Sequence, residues 1–136
     1  MWLDSVLNEE LFTKAVAILA KMVSVTFRQS FVIQFAEGRS LISEHFVLGM
    51  QVRNVLRGSK IFPVEQELPE HFYDQVWMVL FLKALAFSEE DLKAISVEAL
   101  LTHKDEYTRW TGAILIALYR NNSPLVPLCQ EQLKKQ

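Results

Sequence analysis

The chain has 136 residues, with 14 Lys plus Arg against 16 Asp plus Glu, and 51% of it is hydrophobic. That length suits one domain, and the apolar share beside 22% charged residues excludes a disordered chain. A net charge of −2 lacks the basic surplus of a nucleic-acid binder, and 4 Gly with 4 Pro are too few for a loop-rich β architecture. The single Cys cannot close an internal disulfide, so nothing asks for an oxidising compartment.

No targeting segment is expected at the start, where Met1-Trp2-Leu3-Asp4-Ser5 has no basic residue and Asp4, Glu9 and Glu10 interrupt any early apolar run. A first helix is predicted over 5–22, with Glu10 and Lys14 four residues apart in the favourable order. Ser24 breaks it and opens a second, 25–36, closed by Gly38. The β-branched and aromatic content of this segment also suits a strand, but Phe27, Phe31 and Phe35 recur every four residues, which favours helix. Ser40 caps a third helix, 41–57, stopped by Gly58. A loop over 59–70 holds Pro63 and Pro69, and a fourth helix follows over 71–87. Its apolar run, 76–87, is interrupted only by Lys83 and is too short to span a bilayer. Ser88 with Asp91 forms a capping box for a fifth helix, 89–101. Thr102 with Asp105 repeats the pattern for a sixth, 104–121, supported by an Asp105–Arg109 pair, and Ser123-Pro124 opens a seventh. The expectation is an all-α fold: one domain over 1–136, a single compact bundle of six to eight helices, with the third, fourth and sixth supplying most of the core. A cytoplasmic location and no membrane segment are expected.

Chemistry-bearing motifs are sparse. His45, His71, His103 and Cys129 show no metal-ligand spacing, and the glycines stand alone at 38, 49, 58 and 112, so no metal, cofactor or phosphate loop is expected. Cys129 has Glu131 nearby and no basic residue before Lys134, so an activated thiolate is not expected.

The third helix carries more information. At 100° per residue, Leu41, Ile42, Val52 and Leu56 share a face, with Ser43, Glu44, Gln51 and Asn54 roughly opposite. Gly49 falls within the apolar face, where it costs about 1 kcal/mol relative to Ala. It therefore marks the close approach of another backbone or an aromatic ring. His45 and Arg53 flank it at i−4 and i+4, and a guanidinium aimed at a core must find a carboxylate or several carbonyls. In a structural reading, Arg53 pairs with Glu65, Glu67, Glu70 or Asp74 and staples the Pro-containing loop, while His45 bonds within the core. In a functional reading, His45, Gly49 and Arg53 line a cleft for an anionic ligand or for acid–base chemistry. The structural reading is preferred, because no nucleophile accompanies the pair.

Acidic residues gather twice, at Glu65, Glu67, Glu70 and Asp74, then at Glu89, Glu90 and Asp91. They suit helix N-termini, or a negative surface that recognises a basic partner. With Trp2, Trp77, Trp110 and nine Phe to distribute, an apolar patch beside them is expected to make a protein-binding face, and a homodimer is compatible with it.

The stretch His45-Phe46-Val47-Leu48-Gly49-Met50-Gln51-Val52-Arg53-Asn54 resembles an H-F-x-L-G-M-x-x-R-N signature of small uncharacterised bacterial helical proteins. Those proteins continue with a tryptophan-containing turn, where this chain has Val55-Leu56-Arg57-Gly58. In size, acidity and helicity the chain also resembles the helical immunity proteins of contact-dependent growth inhibition and related toxin systems. That resemblance implies a cytoplasmic protein without activity of its own, whose protein partner is a basic toxin domain, often a nuclease. The seven acidic residues are then the expected partner-binding set, and His45, Gly49 and Arg53 a structural polar core. The alternatives are a small ligand-binding or enzymatic domain using the His45/Gly49/Arg53 cleft, or a homodimeric adaptor.

Overall fold

The computed structural model describes residues 9–39, 45–64, 66, 68 and 72–120. All regular structure among them is helical: α1 Glu9–Ala20, α2 Val25–Ala36, α3 His45–Ser59, α4 Phe72–Ala84, α5 Glu89–Ile95, α6 Val97–Leu101 and α7 Glu106–Leu115. A π-helical turn, Ile116–Arg120, continues α7. The expected Ser40 cap and the seventh predicted helix lie outside the described residues.

α4 sits at the centre. Val76, Trp77, Met78, Val79, Leu80, Phe81 and Leu82 are all buried, so this helix has no solvent face over two turns. α1 packs on it through Leu11, Ala15 and Leu19, spaced every four residues, and α3 through Leu48, Val52 and Leu56. α7 adds Ile114 and Leu115, and α2 adds Phe31, Val32 and Phe35. Each large side chain withdrawn from water contributes about 1.5–3 kcal/mol before entropy is counted.

α2 is a helix, as the phenylalanine spacing predicts. Phe27, Phe31 and Phe35 form a ladder, with neighbouring ring centroids 5.1 and 5.9 Å apart. Phe27 and Phe31 meet Phe81 of α4 edge-on at 6.0 and 5.5 Å. The Ser24 hydroxyl accepts the Phe27 N–H at 3.0 Å. At the other end Gly38 (φ 79°) and Arg39 donate to Phe35 and Gln34, each at 3.0 Å, which is a Schellman closure. The axes of α1 and α2 bend by 103° at their junction, and no single described helix is long and apolar enough to cross a membrane.

Several predicted boundaries shift. Gly58 does not stop α3; the helix runs to Ser59, and Lys60 takes the left-handed conformation (φ 58°). The Ser59 hydroxyl donates to the Leu56 carbonyl at 2.6 Å, which secures this exit without a glycine. α4 ends at Ala84 instead of 87, because Ala86 turns left-handed (φ 52°) and swings Phe87 back against Phe35. The predicted helix 89–101 is two helices, broken at Ser96 (φ 56°). The break lets α6 lie flat on α7, where a Cβ on Gly112 would stand 2.9 Å from the Leu100 Cβ. α7 begins at Glu106 instead of 104, and its cap is Asp105, not Thr102. The Asp105 carboxylate accepts the Thr108 N–H at 2.9 Å and the Thr108 hydroxyl at 2.7 Å. Arg109 donates to the carbonyls of His103 and Lys104 at 2.7 and 2.8 Å, tying the α6–α7 turn.

From the π turn, the Tyr119 hydroxyl donates to the Leu82 carbonyl and accepts the Phe87 N–H at 3.4 Å. It thereby satisfies a carbonyl in the last turn of α4, which has no partner within its own helix. The Lys83 ammonium lies 5.2 Å above the Tyr119 ring and reaches the Leu118 carbonyl at 3.5 Å. Burial pushes the Tyr119 phenol up to about 12.

Two predictions come from this packing. Gly112→Ala is expected to lower stability by about 1–3 kcal/mol despite its better helix propensity, because the new Cβ meets Leu100 and the Leu101 backbone nitrogen at 3.2 Å. Gly58→Ala, which meets nothing within 4 Å, is expected to raise stability by up to about 1 kcal/mol; urea denaturation of both variants measures the contrast. Tyr119 sets an alkaline limb. An unfolded tyrosine releases its proton near 10, whereas Tyr119 holds it to about 12, so stability falls as pH rises across that interval and is complete below it. Tyr119→Phe is expected to cost about 1–2 kcal/mol at neutral pH and to flatten that limb, read from denaturation midpoints between pH 8 and about 12.

Candidate functional site

α3 turns Gly49, Val52 and Leu56 inward, as the periodicity predicts, and Leu48 joins them, while Leu41 and Ile42 lie outside the described residues. The close approach expected at Gly49 is the indole of Trp77. A Cβ built there would lie 3.1 Å from two atoms of that fully buried ring and 2.9 Å from Nη1 of Arg53. The missing side chain makes room for protein atoms, and the guanidinium folds back over the glycine beside the ring. Arg53 itself is half-buried. The His45 backbone belongs to α3, while its side chain lies outside the described residues. Arg57, one turn on, stacks 4.7 Å from the Tyr73 ring centroid.

The seven acidic residues divide. Glu65, Glu67 and Glu70 lie outside the described residues, as does the side chain of Asp74 on α4. Glu89 and Glu90 are exposed in the first turn of α5, where their charge also favours the helix dipole. Asp91 has a structural task. Its carboxylate accepts the Ser88 N–H at 3.0 Å while the Ser88 hydroxyl accepts the Asp91 N–H at 3.1 Å, closing the expected capping box. Its other oxygen receives the Gln29 amide at 3.5 Å, linking α5 to α2. These hydrogen bonds, the Ser88 N–H foremost, hold its carboxyl below the usual range for aspartate.

Among the described residues, the aromatic side chains form no exposed patch of the kind expected. Trp77 and the phenylalanines at 31, 35, 62, 72, 81 and 87 are buried, and Trp110 is half-buried against the core. Trp2 lies outside the described residues. The large apolar side chains that do face solvent are aliphatic: Val25 (65% exposed) and Ile33 (57%) on α2, Val47 (58%) and Met50 (43%) on α3, and Val64. A wheel of α3 places Val47 and Met50 among Gln51 and Asn54 on its polar side, which is the signal that would have found them. Among the described residues no three His, Cys, Asp or Glu side chains converge where a metal ion could sit.

Comparison of the chain with family models, with curated proteins and with solved structures gave no match in any of the three.

Filling of the Gly49 slot generates its own test. Gly49→Ala is expected to lower stability by about 1–3 kcal/mol, since the buried indole cannot retreat although the Arg53 side chain can. An unchanged urea midpoint would show that the indole does not hold that position.

Proposed function

We propose that this chain is a cytoplasmic protein-binding module, most concretely an immunity protein that neutralises a toxin domain by covering its active site. The observation that carries the reading is the division of labour at the start of α5. The fold consumes Asp91, while Glu89 and Glu90 stand exposed, and the salt bridges Glu10–Lys14 and Glu37–Arg39 involve neither of them. With Glu65, Glu67, Glu70 and Asp74 they make up the acidic set of a chain whose net charge is −2. A basic nuclease toxin presents cations that grip phosphates. Carboxylates laid over those cations exclude the substrate and steer the encounter. The protein contributes no catalytic group of its own in this mechanism. The rival reading, a ligand cleft at His45, Gly49 and Arg53, is disfavoured by the Trp77 ring that fills the glycine slot.

Native mass spectrometry tests the proposal, on this protein co-expressed with the C-terminal domain encoded by its upstream neighbouring gene. A one-to-one heterodimer is expected. Glu89→Lys/Glu90→Lys should then slow association about tenfold at low salt, with circular dichroism unchanged. Absence of the heterodimer, or an association rate indifferent to the charge reversal, would overturn the acidic-face mechanism.

A further inference from the structure

The turn between α6 and α7 holds an imidazole that the fold uses as an acceptor. Nδ1 of His103 receives the Asp105 N–H at 3.0 Å. A ring nitrogen that accepts carries no proton, so the neutral ring has its hydrogen on Nε2. The other edge of the ring rests on the end of α2, where a Cβ built on Gly38 would lie 3.8 Å from both Cδ2 and Nε2. Gly38 belongs to the left-handed turn that closes α2, and Asp105 is the cap of α7. One exposed side chain therefore bridges the end of one helix and the start of another far along the sequence.

We propose that His103 is a pH-sensitive latch between α2 and α7, closed while the ring is neutral and released when it is protonated. Histidine is the side chain that ordinarily changes charge between about pH 5 and 8. Protonation places a hydrogen on Nδ1, which then faces the Asp105 N–H donor to donor. That N–H loses its acceptor, the ring turns away, and its contact with Gly38 goes with it. The latch is thus present at the upper end of the range and lost as pH falls through it.

The charged groups around the ring come from both sides of the contact. Lys104, Asp105, Glu106 and Arg109 stand on its own turn and on α7, Glu98 lies in the first turn of α6, and Glu37 and Arg39 flank Gly38. Two of the carboxylates have other work: Asp105 holds the Thr108 N–H and hydroxyl, and Glu37 pairs with Arg39 at 3.0 Å. Glu98 and Glu106 are exposed to water. The Arg109 guanidinium, in contrast, is bound to the carbonyl of His103 itself at 2.7 Å, so an imidazolium adds positive charge beside a fixed cation. The latch uses none of the acidic residues proposed for the toxin and stands or falls separately from that reading.

Hydrogen exchange of the Asp105 amide, followed by NMR from about pH 7.5 to about pH 5, tests it. After correction for the intrinsic exchange rate, protection is expected to fall about fivefold across that range. Long-range nitrogen–proton spectra of the His103 ring at the upper pH should show the form protonated on Nε2. His103→Asn keeps an acceptor for the N–H two residues on and does not titrate, so protection there should stay high and flat. His103→Ala should give the low value at every pH. Protection of the unaltered chain that is constant with pH overturns the proposal, and so does a ring protonated on Nδ1 at the upper pH. A fall that persists in His103→Asn assigns the effect to another group and overturns it equally.

Discussion

A helix buried on every side over Val76 through Leu82 governs this architecture. α4 buries Val76 through Leu82 without interruption, so neighbours must cover it from every direction. α1 and α3 cover one flank, the α2 phenylalanine ladder meets it at Phe81, and α7 closes another side. Enclosure also raises a polar problem. The last carbonyls of a helix have no partner within it, and α4 ends among apolar groups. Tyr119 solves this from the π turn, with the Lys83 ammonium packed on its ring.

Glycine is used against its usual grain. Only Gly38 serves as a left-handed helix terminator, whereas three other exits are made by Lys60, Ala86 and Ser96. Each of those non-glycine residues costs on the order of 1 kcal/mol in the left-handed region. Gly49 and Gly112 sit instead in helix interiors, where each also costs about that much. They are retained there because an indole and the α6 backbone occupy the space a side chain would need. Conformational freedom is thus exchanged for proximity at two helix contacts.

Much of this was legible from local chemistry. Ser24 and Ser88 announce their helices because a hydroxyl three residues ahead of a free N–H is a complete local solution. The phenylalanine spacing favours helix over the β-branched content of α2, since residues four apart touch on a helix but lie about 13 Å apart along a strand. Other features depend on partners distant in sequence. Nothing local distinguishes Ser96 as a break; the reason is the seat of α6 on Gly112. Thr102 and Asp105 both have capping chemistry, and the choice between them falls to Thr108, whose backbone and hydroxyl both reach Asp105. At the candidate site, the need for a close neighbour at Gly49 was readable, but not that Trp77 supplies it. Asp91 satisfied two descriptions at once, cap and acidic surface, and the geometry engages it as the cap.

The Tyr119 contact has a consequence for biosynthesis. Its acceptor, Leu82, lies 37 residues earlier in the chain. During translation the most apolar of the described helices emerges well before the residue that closes its end, and before the α7 side chains that shield its remaining flank. Nascent chains halted between those two points hold α4 incompletely wrapped, the kind of species that chaperones capture and that aggregates at high expression. The end of α4 is therefore closed only once Tyr119 has been translated.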